Sequence, residues 1–205
     1  MRAIAWASRR RARVGPGWGT AAAVLYLVVS GMLGTPPSRL LYDGLVPLPP
    51  YQWVHPPGGG SSSPPRGATG IVAFTGGASG AAEVSTDDLQ ATITFSQGAV
   101  ASRPGETSAK VTITPLDAAT VAPAPNGRHF DSNGYRFEVL YATSGTPAEL
   151  AKPVDVALTY ATHATVILRA QDQEKTWTVL HGPAFPASQQ IVVHTDQLGT
   201  FVASP

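Results

Sequence analysis

Large apolar residues alternate with polar or small ones in two stretches of the chain, Tyr135-Arg136-Phe137-Glu138-Val139 and Val154-Asp155-Val156-Ala157-Leu158-Thr159-Tyr160. A period of two sends successive side chains to opposite faces of an extended backbone, so each stretch specifies a strand with one buried and one wet face. Less regular versions of the pattern cover residues 71–75, 89–95, 110–114, 165–170, 175–180, 190–194 and 201–203, with 82–85 as a further short candidate. Gly, Pro, Asn and Asp separate them, and no helical pattern long enough for a crossover lies between them. Nine or ten short strands over residues 69–205 therefore predict an all-β domain, an antiparallel β-sandwich rather than a parallel α/β sheet. The composition agrees: 21 Gly and 19 Pro in 205 residues with 13% charged side chains are wrong for a helical bundle. On the strand pattern Tyr135, Tyr160 and Trp177 fall on apolar faces and are expected in the core. The longest break, 117–134, carries Pro123, Pro125, Asn126-Gly127 and Asn133-Gly134 and is expected as an exposed loop, with Asn133-Gly134 as a hairpin turn into the next strand.

The N-terminal third has a different character. Residues 1–66 hold seven arginines and one acid, a net +6, whereas the rest of the chain is net −5. Five of those arginines precede an uncharged apolar run, residues 18–34, and a basic flank before such a run is a membrane-targeting pattern. Seventeen helical residues span about 25 Å, at the short end for a hydrocarbon core. The run fits either an uncleaved signal-anchor or a cleaved signal; Val28-Val29-Ser30-Gly31 offers no Ala-x-Ala-like triplet, which favours the anchor. Ser8-Arg9-Arg10 lacks the hydrophobic residues that would follow a twin-arginine export pair and is an ordinary basic segment. The division expected is a basic cytoplasmic tail at 1–17, a transmembrane or signal helix at 18–34, a linker at 35–68 and the sandwich at 69–205. The positive-inside rule puts everything after the helix outside the cytoplasm.

Within residues 35–66, nine Pro, four Gly and four Ser make an extended, semi-rigid spacer with a flexible joint at Gly58-Gly59-Gly60-Ser61-Ser62-Ser63. Leu40-Leu41-Tyr42 and Tyr51-Gln52-Trp53-Val54 break this composition. A solvated linker has no use for two tyrosines and a tryptophan, so these side chains touch something. They either sit in the membrane interface, fold back on the domain, or dock a partner; Tyr42, Tyr51 and Trp53 are the candidate partner-docking residues.

Chemistry-bearing patterns are scarce. With no cysteine, disulfides, thiolate catalysis and Cys-ligated metals are excluded. His55, His129, His163, His181 and His194 have no local metal spacing, and His194-Thr195-Asp196 is a polar turn that would need ligands from elsewhere. Gly77-Ala78-Ser79-Gly80 is one residue out of step with a nucleophile elbow and reads as a turn. Asp131-Ser132-Asn133-Gly134 starts like a calcium loop but lacks the downstream bidentate Glu. Asp87-Asp88 reads as loop solvation, and no phosphate-cradling glycine loop is present. No catalytic, cofactor-binding or metal residue is assigned, and the chain is read as not an enzyme. A net charge of +1 gives no drive toward nucleic acid.

In order along the chain, Gly76-Gly77, Val111-Thr112-Ile113-Thr114-Pro115-Leu116, Leu150-Ala151-Lys152-Pro153-Val154, Leu158-Thr159-Tyr160, Trp177-Thr178-Val179-Leu180 and Leu198-Gly199-Thr200-Phe201-Val202 resemble the ZU5-type β-sandwich. The resemblance implies a non-enzymatic interaction or spacer domain. Some relatives of that class cleave themselves at a His-aliphatic-Ser/Thr triplet before the last strand. The matching Leu198-Gly199-Thr200 lacks the histidine and His129-Phe130-Asp131 lacks the nucleophile, so no self-cleavage is expected. The function expected is an interaction or structural module displayed outside the cytoplasm on a single-pass anchor, contacting the membrane through residues 18–34 and an extracytoplasmic protein or cell-envelope partner through the rest. Eleven Arg against three Lys and an Ala-rich chain suggest a bacterial source. The alternative is a secreted carbohydrate-binding or enzyme-accessory sandwich released by signal cleavage.

Overall fold

The computed structural model describes residues 49–125, 127–171 and 175–205. The expected tail and apolar helix, the first part of the linker and Tyr42 lie outside the described residues. Twelve strands run in chain order: β1 (Ala68–Thr75), β2 (Ala78–Ser79), β3 (Ala82–Ser85), β4 (Ala91–Phe95), β5 (Ser108–Leu116), β6 (Gly134–Tyr141), β7 (Val154–Thr159), β8 (Val166–Ala170), β9 (Thr178–His181), β10 (Ala184–Phe185), β11 (Gln190–Thr195) and β12 (Gly199–Ser204). They form a seven-stranded sheet, β2-β1-β5-β6-β12-β8-β9, and a five-stranded sheet, β10-β11-β7-β4-β3. Every neighbouring pair is antiparallel. Among the described residues helix is limited to three-residue 3₁₀ turns, and no helix is long and apolar enough to cross a membrane.

The two sheets pack face to face. Val72, Val111, Ile113, Phe137, Phe201 and Ile167 of the larger sheet meet Val84, Ile93, Phe95, Val156, Leu158 and Ile191 of the smaller in one core. Period-two residues drive this: in β7 Val154, Val156 and Leu158 are buried while Asp155 is exposed. Phe137 and Phe201 cross edge to face at 5.5 Å, the arrangement that ring quadrupoles favour. Tyr135 and Tyr160 are buried as expected.

All ten expected strands form, and β2 and β10 are additional two-residue strands too short to carry a period. β2 follows from Gly76 and Gly77, whose φ values of +61° and +81° make the two-residue hairpin turn that twists with its strands. The turn expected around Ser79 is therefore displaced: Ser79 is fully buried in β2, and its hydroxyl accepts from Val100 N–H at 3.0 Å. The strand expected from residue 89 starts at Ala91, because Leu89 takes φ +65° in the β3–β4 turn. There Thr86 Oγ1 accepts from Gln90 N–H and Ala91 N–H, each at 3.1 Å, and donates to Asp88 Oδ1 at 2.6 Å. Asp88 is thus a turn-former and not merely a solvated loop residue.

The loop before β6 departs furthest from expectation. Asp131, Ser132 and Asn133 are at most 5% exposed. Asn133-Gly134 makes no hairpin turn; Gly134 pairs with Leu116 inside the sheet, where a Cβ would meet Leu116 and Ala118. Further back, the loop covers the outer face of β12 and β8: Ala118, Val166, Leu168 and Val202 form a second small core closed by Phe130 and Trp177. Trp177 lies ahead of β9, stacks edge-on to Phe130 at 5.5 Å and donates to Ala122 O at 3.2 Å, so it packs on this outer face and not between the sheets.

β1, next to the short edge strand β2 of the larger sheet, and β3, the edge of the smaller one, close the sandwich where Gly70 lies against Val84; a Cβ on Gly70 would overlap the valine methyls. Val84 is buried and β-branched, hence stiff at χ1. Gly70→Ala is expected to cost about 1–3 kcal/mol of overpacking strain, read as a lower denaturant midpoint at unchanged slope.

Candidate functional site

The side chains that gather into one site lie at the end of the sandwich where the β3–β4 turn, the start of β6 and the Tyr51-Gln52-Trp53-Val54 segment meet. Asp131 fixes its floor. Its backbone N–H donates to Ala203 O at 2.9 Å and its carbonyl accepts from Ala161 N–H at 2.8 Å. Its carboxylate accepts from Thr162 N–H at 2.8 Å, Thr162 Oγ1 at 2.7 Å and His163 N–H at 2.7 Å. Three donors are what a buried carboxylate requires. Ser132 continues the lock: its hydroxyl accepts from Ala203 N–H at 2.8 Å and donates to Asn133 O at 2.8 Å. With both neighbours pinned, Asn133 has one place to point.

It points at a peptide. Asn133 Nδ2 donates to Gln52 O at 2.7 Å, Asn133 Oδ1 accepts from Val54 N–H at 2.8 Å, and Asn133 N–H donates to the Tyr51 hydroxyl at 2.9 Å. Residues 52 and 54 are one strand repeat apart, so a single carboxamide reads an extended backbone as a neighbouring strand would. Gln90 makes the complementary contact. Both ends of its carboxamide are satisfied with the oxygen accepting from Gln52 N–H at 2.6 Å and the nitrogen donating to Gln52 O at 2.9 Å and to the Tyr135 hydroxyl at 2.7 Å. Tyr51 and Trp53 rings lie 4.7 Å apart, tilted by 56°. The chain then folds back: Trp53 N–H donates to Ser62 Oγ at 2.8 Å, and Arg66 N–H to Asp88 Oδ2 at 3.0 Å. His55 Nδ1 lies 3.2 Å from Asp117 Oδ2 on the exposed rim.

Burial pushes the Tyr51 phenol well above its ordinary value, and the Asn133 N–H offsets this in part. Burial, and then the neighbouring Tyr51, push Tyr135 up further. Burial, and then the Asp131 carboxylate, raise Tyr160. Raised in this way, the Tyr51 and Tyr135 hydroxyls are neutral hydrogen-bonding groups near neutrality.

Of the expected docking residues, the site brings Tyr51 and Trp53 together, both half-buried, with the Tyr51 hydroxyl held on the domain by Asn133 N–H. Asn133 and Gln90 were not expected as site residues, because an Asn before Gly and a Gln before a strand carry the same signal as ordinary turn residues. Elsewhere, His194 pairs not with Asp196 but with Asp155, its cross-strand neighbour on β7, at 2.8 Å. Both are exposed, and among the described residues no three His, Asp or Glu side chains converge to hold a metal. No protein-family model matches the chain, and no curated protein matches its sequence.

Asn133→Ala removes the two side-chain anchors of the docked segment, to Gln52 O and Val54 N–H, while leaving Asp131 and the backbone N–H that reaches the Tyr51 hydroxyl in place. It is expected to cost about 1–3 kcal/mol and to change the fluorescence of Trp53, read against a Trp53→Phe background. Alkali should do the same. A phenol whose folded pKa is raised contributes stability that is complete below the unfolded value of about 10 and is lost as pH rises above it. The Trp53 signal is therefore expected to stay constant to about pH 9 and to move toward that of Asn133→Ala above pH 10.

Proposed function

We propose that this protein is a non-enzymatic module displayed outside the cytoplasm on a single-pass anchor, with residues 1–17 inside, 18–34 in the bilayer and the β-sandwich presented on the Pro-rich stalk. The observation that carries the reading is the attachment of Tyr51-Gln52-Trp53-Val54 to Asn133 and Gln90, which joins stalk and domain at a fixed place. A freely swivelling tether needs no such joint, whereas a module that presents a defined face to its surroundings does. The reach of the stalk then falls to residues 35–50, about 50 Å when fully extended as polyproline II. The order of motifs that resembles the ZU5-type sandwich points to the same class of interaction or spacer domain, and the two-sheet antiparallel architecture is compatible with it.

The non-enzymatic reading is supported by where the polar side chains are spent. Ser79, Asp131, Ser132, Asn133 and Gln90 hold loops and stalk in place through satisfied, buried hydrogen bonds. A catalytic group needs an unspent valence aimed at a cleft.

The test is membrane fractionation of cells making a C-terminally tagged full-length chain, with external protease and N-terminal mass spectrometry. The expected result is a full-length chain that stays with the membrane and loses its tag to protease added outside. A soluble chain beginning near residues 31–35 would instead mark a cleaved signal and a secreted module, and a tag protected in intact cells would reverse the topology.

A further inference from the structure

Resting on the reading of the domain as an interaction module, we propose that the Gln90–Asn133–Tyr135 end of the sandwich is a peptide-binding cradle for an extended Tyr-x-Trp segment. Its own stalk fills it in one chain, and the stalk of a second copy fills it between chains.

Three observations carry this. First, recognition is directed at backbone: Asn133 and Gln90 between them take the N–H and C=O of Gln52 and the N–H of Val54, four contacts that hold any extended segment. Selectivity comes from Tyr51, whose hydroxyl accepts from Asn133 N–H, with the Trp53 ring tilted against its own. Second, the cradle is built from the domain and does not need the stalk to exist: Asn133 is set by Asp131 and Ser132, and Gln90 by Thr86, Asp88 and Thr159, whose N–H donates to Gln90 O at 2.9 Å. Third, the segment is joined to β1 by residues 55–67, whose Gly58 and Gly59 take φ +73° and +76° in the reversing turn. Unfolding that turn frees a connection of about a dozen residues, which extends to roughly 40 Å and delivers the segment to a neighbouring cradle with no change in the sandwich. The occupant is a second copy because the cradle demonstrably fits this sequence, and copies of an anchored chain share one surface.

The experiment uses the full chain in detergent. Tyr51→Ala/Trp53→Ala strips the chain's own segment of its selective side chains and leaves it only the backbone contacts, so that it competes weakly, and the labelled peptide Pro-Pro-Tyr-Gln-Trp-Val-His-Pro-Pro, residues 49–57, is titrated against this variant by fluorescence anisotropy. Saturable binding is expected, weakened about tenfold or more by adding Asn133→Ala and by the occupied cradle of the wild-type chain. A folded double variant that gives no saturation overturns the cradle, as does binding indifferent to Asn133. Tyr51→Phe, which keeps the ring and loses only the hydroxyl, replaces the double variant if that does not fold. Exchange between copies is read separately by mixing a stalk-intact, cradle-broken chain (Asn133→Ala, or Asn133→Asp if that folds better) with the cradle-intact, stalk-broken chain. Each alone is expected to sediment as a monomer, and the mixture as a one-to-one pair. Peptide binding without pairing keeps the cradle and overturns the second copy as its occupant. A failure of membrane display alters neither result, so the two readings fail independently.

Discussion

A buried carboxylate organises this end of the molecule. Asp131 lies outside the alternating core pattern, yet it is 5% exposed and takes three hydrogen bonds from the connection between β7 and β8. Leaving such a group unpaired costs several kcal/mol, so the loop that carries it has essentially one low-energy position. From that position the rest follows in sequence: Ser132 reaches β12, Asn133 is aimed outward, Gly134 enters β6 beside Leu116, and the stalk finds a partner. The loop's other half uses apolar contact to the same end, with Phe130 and Trp177 closing a small core over the outer face of the larger sheet. One long loop thereby serves both as a cover for a sheet face and as the floor of the cradle.

The strands were legible because their determinants are local. Val154, Val156 and Leu158 announce a buried face from within six residues, and the same holds, less cleanly, for the other strands that were expected. β2 and β10 escaped because two residues carry no period; β2 exists through the Gly76-Gly77 turn that returns it to β1. Leu89 misled for a related reason. Its apolar side chain extends the pattern of β4 by two residues, but the hydroxyl of Thr86 and the carboxylate of Asp88 claim the turn's N–H groups first.

The cradle was not legible, and the reason is physical. Asn133 meets Gln52 and Val54 about eighty positions away, and Gln90 meets Gln52 across thirty-eight. Nothing in the neighbourhood of an Asn-Gly pair distinguishes a hairpin turn from a carboxamide held rigid by distant donors; tertiary contact decides between them. The stalk gave half the answer. Of Tyr42, Tyr51 and Trp53, the composition of a Pro- and Gly-rich stretch says only that they touch something; whether membrane, partner or domain is a matter of geometry, which is described for Tyr51 and Trp53. The Tyr51 hydroxyl finds its contact on the domain, at Asn133, with the Trp53 ring beside it.

Such a joint is necessarily a compromise between rigidity and exchange. Carboxamide contacts to backbone are individually modest, about 1 kcal/mol each net, and the apolar area covered by Tyr51 and Trp53 is only partly withdrawn from water. Within one chain, a connection of a dozen residues presents the segment to its own cradle at an effective concentration on the order of millimolar, so the joint stays closed in dilute solution. A neighbour competes only where its local concentration approaches the same value. The anchoring proposed above would bring this about, since confinement to a bilayer plane removes one dimension of search and limits the height over which two cradles can miss each other. On that proposal anchoring and exchange are linked physically: the same contacts that make a stiff support for an isolated copy become contacts between copies once the surface is crowded.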